Sequence, residues 1–187
     1  MINNLESLSH PPSKQKFAAT LRLVSRISFW VQLVLGGISG IAVLLACFSR
    51  NVTTSSSGIG FGIFLAIVGI LLLCFRVYWA LRYRKMAKLL QTPNSQNHPT
   101  KEDVIQNLRI GLLVSLVGLL IAFIASEVTV SIILGKAVAQ PQGVAIYQPE
   151  NVIRSLDIFV MLANVNMIGA HFFGGVTSLG LLYWLEE

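Results

Sequence analysis

Charge is scarce in this chain. Only 12% of its 187 residues are charged, 14 Lys and Arg against 8 Asp and Glu, while 54% are apolar and the mean hydropathy is +0.70. A soluble domain carries about 25% charged residues, so a water-facing globule is excluded. A disordered chain is excluded too, because it would be charge-rich and poor in apolar side chains. Cysteine is nearly absent. Cys47 and Cys74 stand near the far ends of two successive apolar runs, and antiparallel neighbours would hold them about 20 Å apart in depth. A disulfide needs Cα atoms within about 7 Å, so both read as apolar lining. Enzyme signatures are missing as well: there is no P-loop, dinucleotide fingerprint, nucleophile elbow or zinc-protease helix. No enzymatic activity is expected. With no Cys pair, no two His at helical spacing and no dense carboxylate cluster, no resident metal or cofactor is expected either.

Long apolar runs are what the chain has. Four of them, at about 29–48, 59–81, 110–134 and 158–184, reach or exceed the roughly 20 residues that cross about 30 Å of hydrocarbon. Backbone groups find no water there, so each run must be a helix. The expected fold is an all-α membrane protein with four transmembrane helices: a tail over residues 1–28 and a four-helix transmembrane domain over 29–187. Within the tail, Phe17, Leu21 and Val24 share a face flanked by Lys14, Arg22 and Arg26. This amphipathic segment is expected to lie along the membrane surface.

Basic residues set the topology. Lys14, Lys16, Arg22 and Arg26 precede the first run; Arg82, Arg84, Lys85, Lys88, Lys101 and Arg109 lie between the second and third. The other two connections hold only Arg50, Lys136 and Arg154. The positive-inside rule puts both termini and the middle loop in the cytoplasm. Arg76, near the inner end of the second helix, is expected to snorkel toward the surface. The net charge of +6 therefore reflects topology and attraction to an anionic leaflet, and no nucleic-acid partner is expected. Of the connections, 50–58 is a short polar hairpin link and 91–99 a Pro/Asn/Ser/Gln linker. Thr100 to Asp103 has the pattern of a capping box opening the third helix. Residues 139–149 carry Pro141, Gly143 and Pro149, which breaks any single helix, with Tyr147 as an interfacial anchor.

Two sets of residues are candidates for function. The first is small: Gly36 with Gly40, Gly58 with Gly62, Gly111 with Ser115 and Gly118, and Gly174 with Ala170 and Gly175. In lipid, close packing through small residues drives helix association, either within the bundle or against a partner subunit. The second is polar: Asp157, Asn164, His171 and Ser178 recur every seventh residue and form one stripe drifting about 20° per step. Ionisable groups inside a span are functional candidates. The stripe reads as a seam of interhelical hydrogen bonds or as a permeation or proton path centred on His171. Glu127 sits about 8 Å below the outer surface, level with Asn164 and Asn166, and is expected to share a site with one of them. Met161 and Met167 read as core filling.

Three stretches carry a resemblance to a known family. Arg26-Ile27-Ser28-Phe29-Trp30-Val31-Gln32-Leu33 enters the first helix, Asp103-Val104-Ile105-Gln106-Asn107-Leu108-Arg109-Ile110-Gly111 opens the third, and Leu156-Asp157-Ile158-Phe159 with Asn166-Met167-Ile168-Gly169-Ala170-His171-Phe172-Phe173-Gly174 forms the fourth. In order and spacing this resembles the chloroplast inner-envelope family described both as a small Tic protein-import subunit and as an iron permease, with cyanobacterial relatives. The resemblance covers nearly the whole chain from Lys14. It implies four membrane helices and a photosynthetic membrane. With no Arg- and Ser-rich transit peptide in view, the expectation is a cyanobacterial-type member in the plasma or thylakoid membrane.

Two function classes follow. In the first, the chain packs with membrane lipids and with other integral membrane proteins or its own copies, as a translocation or assembly accessory. In the second, it is a permease for iron or another divalent cation, using the polar stripe of the fourth helix. A third, weaker reading has His171 or Asn166 ligating the magnesium of a chlorophyll.

Overall fold

The computed structural model describes residues 14–50, 57–91, 99–139 and 155–186. The chain forms four helices, α1 (Lys14–Arg50), α2 (Ser57–Gln91), α3 (Lys101–Ala139) and α4 (Ser155–Glu186), and there is no strand among the described residues. At 32 to 39 residues each they run about 48–58 Å. All four are long and apolar enough to cross a membrane, and their ends extend past a hydrocarbon layer of about 30 Å. The expected all-α fold with four spanning helices is the observed one.

A regular spacing of inward-facing residues sets the packing. On α3 the buried positions are Val104, Leu108, Gly111, Ser115, Gly118, Ala122, Ala125 and Thr129, alternating steps of four and three. On α4 they include Asp157, Val160, Asn164, Met167, His171, Gly174, Ser178 and Leu181, with the same alternation. A 3.5-residue period keeps one seam on the partner helices and is the pattern of left-handed bundles. Each helix packs on its two neighbours in the cyclic order α1-α2-α3-α4, and α2 also meets α4 across the diagonal. Paired positions fix the directions. Gly36 meets Leu73 and Phe29 meets Arg84; Gly62 meets Thr129 and Gly111 meets Tyr83; Gly118 meets His171 and Ser115 meets Gly175; Gln32 meets Gly174 and Ser39 meets Ala163, so cyclic neighbours are antiparallel. Gly69 meets Met167 while Arg76 meets Gly174, so the diagonal pair is parallel. This is an up-down-up-down bundle.

Polarity is inverted relative to a soluble bundle. The outer face is covered by exposed Leu, Ile, Val and Phe side chains, Leu44, Phe48, Phe64, Leu71, Leu113 and Leu120 among them. Ser25, Ser28, Gln32, Ser39, Arg76, Ser115, Asn164, His171 and Ser178 are buried. Lipid is as apolar as leucine, so burying leucine gains little, whereas a polar group gains a partner by turning inward. The largest apolar cluster closes the end of the bundle nearest the basic residues, through Leu21, Trp79, Tyr83, Ala87, Val104, Leu108, Leu181 and Leu182.

The N-terminal segment departs from expectation. Residues 14–26 are not a separate surface helix but the first turns of α1, with Ala18, Leu21 and Ser25 fully buried. No Pro or Gly interrupts residues 14–35, and Ala18, Leu21, Ser25, Ser28 and Gln32 continue the 3-4 spacing, so the same seam runs into the tail. The helices likewise outrun the apolar runs, because polar turns extend them at both ends. Thr100 and Asp103 form the capping box. The Asp103 amide donates to Thr100 Oγ1 at 3.1 Å, while the Thr100 amide and hydroxyl donate to Asp103 Oδ2 at 3.0 and 2.8 Å. Glu102 and Asp103 also place negative charge at the positive end of the helix dipole. Both cysteines are free thiols. The body of the link at 50–58, the linker at 91–99 and the segment with Tyr147 lie outside the described residues.

Candidate functional site: a polar column through the bundle

Arg76 organises the centre. On α2 it shares the inward face with Leu73, Ala80, Tyr83 and Ala87, all buried, so its side chain cannot reach a lipid headgroup. The expected snorkelling does not occur, because this azimuth points to the bundle axis and the guanidinium meets acceptors there. Nε donates to Ser115 Oγ of α3 at 2.7 Å, and Nη2 donates to the Gly174 carbonyl and Ser178 Oγ of α4 at 2.7 and 2.8 Å. Its carbon lies 5.4 Å from the centroid of the Tyr83 ring, a cation–π distance. One side chain thus ties α2, α3 and α4 together.

Close approach at Gly174 makes this possible. A Cβ there would stand 2.6 Å from Gln32 Nε2, 3.0 Å from Arg76 Nε and 3.0 Å from Ser115 Oγ. Gln32 brings α1 into the layer and donates to Ser28 Oγ at 3.0 Å. One turn toward the other end of the bundle, the His171 ring lies against Gly118, nearer than any Cβ on that residue would permit. Its Nε2 is 3.4 Å from the Gly69 carbonyl. Farther along, Asn164 Nδ2 donates to Thr129 Oγ1 at 3.2 Å, and Ser39 donates to the Ala163 and Leu35 carbonyls, each at 2.9 Å. The column ends in an ion pair, Lys136 Nζ to Asp157 Oδ2 at 2.6 Å. Four buried atoms on it have no hydrogen-bond partner among the described residues: Gln32 Oε1, Arg76 Nη1, Asn164 Oδ1 and His171 Nδ1.

The heptad stripe is therefore where the spacing puts it: Asp157, Asn164, His171 and Ser178 are all inside. Glu127 does not join it. It is exposed on the outside of the bundle, and Asn164 is met by Thr129. The depth was right and the azimuth wrong, since two residues turn a helix by about 200°. Asn166 is half-buried to one side of the stripe. Of the packing glycines, Gly36, Gly62, Gly111, Gly118 and Gly174 sit against neighbouring helices, Gly111 under the Tyr83 hydroxyl. Gly40 does not, having open space around it; Ser39 takes the inward position in that motif. What surrounds Gly58 lies outside the described side chains. Arg76, Gln32 and Ser115 are the residues missed as members of a site, and the signal for each was its place on a 3-4 spacing.

Among the described residues, no three His, Cys, Asp or Glu side chains gather where they could hold a metal ion. The column instead presents one fixed cation, hydroxyls, amides and an imidazole. That set can hold helices in register, and it can donate hydrogen bonds to an oxygen or an anion.

No solved structure matches the chain. It is 27% identical over 173 residues to Protein TIC 21, chloroplastic, of Arabidopsis thaliana, a match covering 90% of this chain and 57% of that protein. The chain thus spans somewhat more than half the length of that relative. With its four apolar helices, it is a multi-pass integral membrane protein. The family described as Protein of unknown function (DUF3611) matches residues 11–186, and the chain belongs to that family.

Proposed function

We propose that this protein is a non-enzymatic subunit that packs against other membrane proteins during their translocation or assembly, in a photosynthetic membrane of chloroplast-envelope or cyanobacterial type. The similarity to a protein named TIC 21, chloroplastic, supports that setting. One observation carries the role. The bundle axis is filled by its own side chains, with Arg76 bonded across it, while apolar side chains are exposed on all four helices. Basic residues at the ends of α1 and α2 keep both termini and the middle loop cytoplasmic.

Arg76 also weighs against passage of iron along the α4 stripe. A divalent ion about 5 Å from a guanidinium is repelled by about 7 kcal/mol at an effective dielectric of about 20, and among the described residues no carboxylate is bonded to Arg76 to offset this. Co-purification in mild detergent followed by native electrophoresis tests the proposal. A stoichiometric complex with another membrane protein is expected; migration only as a lone monomer would overturn it. Proteoliposomes incubated with external radioactive iron supply the second arm. Uptake is expected to match empty vesicles, and uptake abolished by His171→Ala would establish the permease instead.

A further inference from the structure

Charge is divided unequally between the two halves of the bundle. Neither α1 nor α2 contains a single Asp or Glu over its full length. At the same end of the molecule α3 carries Glu102 and Asp103, and α4 ends on Glu186. The α1–α2 half is purely cationic there. Helical geometry directs several of these cations into one groove. Phe29 of α1 and Arg84 of α2 touch, the guanidinium carbon standing 5.2 Å from the ring centroid. From that contact, antiparallel register sets Arg26, one turn before Phe29, beside Lys88, one turn after Arg84. Arg26 and Lys88 are exposed and Arg84 is half-buried.

We infer that this groove holds the phosphate headgroup of an anionic phospholipid. The Phe29 ring lies against the Arg84 guanidinium, whose forked edge suits a phosphate oxygen pair. Trp30, 57% exposed and packed edge-on to Phe29 at 5.8 Å between centroids, marks the headgroup level. Directly beyond it, toward the bundle middle, Leu33 and Val34 are exposed on α1. A lipid fits both parts at once, its phosphate on Arg26, Arg84 and Lys88 and its acyl chains along the apolar face. An acidic soluble segment satisfies the cations alone and leaves that apolar face to other lipids. The site is independent of which protein the bundle accompanies.

The test uses the full chain in nanodiscs of phosphatidylcholine doped with phosphatidylglycerol, read by native mass spectrometry of retained lipids. Phosphatidylglycerol is expected to be retained about tenfold over phosphatidylcholine, each cation near the surface contributing several-fold. The triple variant Arg26→Gln, Arg84→Gln, Lys88→Gln is expected to reduce that preference to within about twofold. A control triple removing equal charge elsewhere, Arg82→Gln, Lys101→Gln, Arg109→Gln, is expected to keep most of it; helicity and elution volume verify folding of both. No preference for phosphatidylglycerol, or equal loss in the two triples, would overturn the site. So would displacement by millimolar inorganic phosphate, which would mark the groove as a site for a free anion. Retention of an acidic peptide in place of lipid would assign it to a protein partner.

Discussion

Arg76 and Lys136 are both cations drawn between helices, yet they are held in opposite ways. Lys136, 11% exposed near one end of the column, meets a carboxylate, Asp157, at 2.6 Å. Arg76, fully buried near the other end of the column, bonds two hydroxyls and a carbonyl, all neutral. The choice of residue follows the partner. A compact ammonium suits one close anion, whereas a planar guanidinium spreads its charge over several donors and suits dispersed neutral acceptors. A charge in this bundle can thus be held by a close opposite charge or by a layer of neutral acceptors, and the two should respond differently to mutation.

The largest effect is expected at the ion pair. Lys136→Met removes the 2.6 Å cation from the Asp157 carboxylate, whose side chain is 4% exposed in the pair, at a cost of about 3 kcal/mol. Removing both charges, with Lys136→Met and Asp157→Leu, should recover most of that loss, since a buried pair is seldom better than an apolar one. Reversible unfolding in mixed micelles reads both. If the double variant is as unstable as the two single losses added together, the coupling of the two charges fails.

A smaller effect separates the layers by packing. In the Arg76 layer, Gly174→Ala drives a methyl to 2.6 Å from Gln32 Nε2 and 3.0 Å from Arg76 Nε, so several bonded groups must shift together. An overpacking cost of about 2 kcal/mol is expected. Toward the Lys136 end, Gly62→Ala meets Thr129 Oγ1 at 3.3 Å and Val128 Cγ1 at 4.0 Å, with nothing nearer. There the gain in helix propensity, about 1 kcal/mol, should offset a small adjustment, leaving stability within about 0.5 kcal/mol of the parent. Thermal unfolding of the two variants side by side checks this, and equal losses would mean that the Arg76 layer is no more tightly joined than its surroundings.

Much of this was legible in the sequence because the bilayer permits so few solutions. Four apolar runs had to be helices, and the seven-residue recurrence from Asp157 to Ser178 had to be one face. Which neighbour that face meets was not legible. Glu127 had the depth of Asn164, but Thr129 continues the alternation Ala122, Ala125 on α3 and so points inward. Arg76 was harder, because a lone Arg six residues before a basic cluster reads as part of the interface. Its membership of the series Leu73, Arg76, Ala80, Tyr83, Ala87 decides otherwise. Azimuth, read from the 3-4 spacing, carries what depth and hydropathy leave out. The tail shows the same thing from the other side: basic flanks suggested a surface helix, while Ala18, Leu21 and Ser25 were already on the seam.

Of the two cations, the smaller effect is expected where intuition would place the greater. Arg76→Met removes a membrane-buried charge together with its desolvation cost, and methionine fills much of the same volume with an adaptable side chain. What remains unbonded is neutral. Ser115 and Ser178 can each turn the hydroxyl to the carbonyl four residues back, as Ser39, Thr129 and Thr177 already do at 2.9, 2.8 and 2.7 Å. The net cost should therefore be about 1 kcal/mol, the worth of an ordinary hydrogen bond, and clearly below that of Lys136→Met in the same unfolding assay. A loss as large as that of Lys136→Met would mean that Arg76 answers to an anion after all, and the contrast between the two cations would disappear.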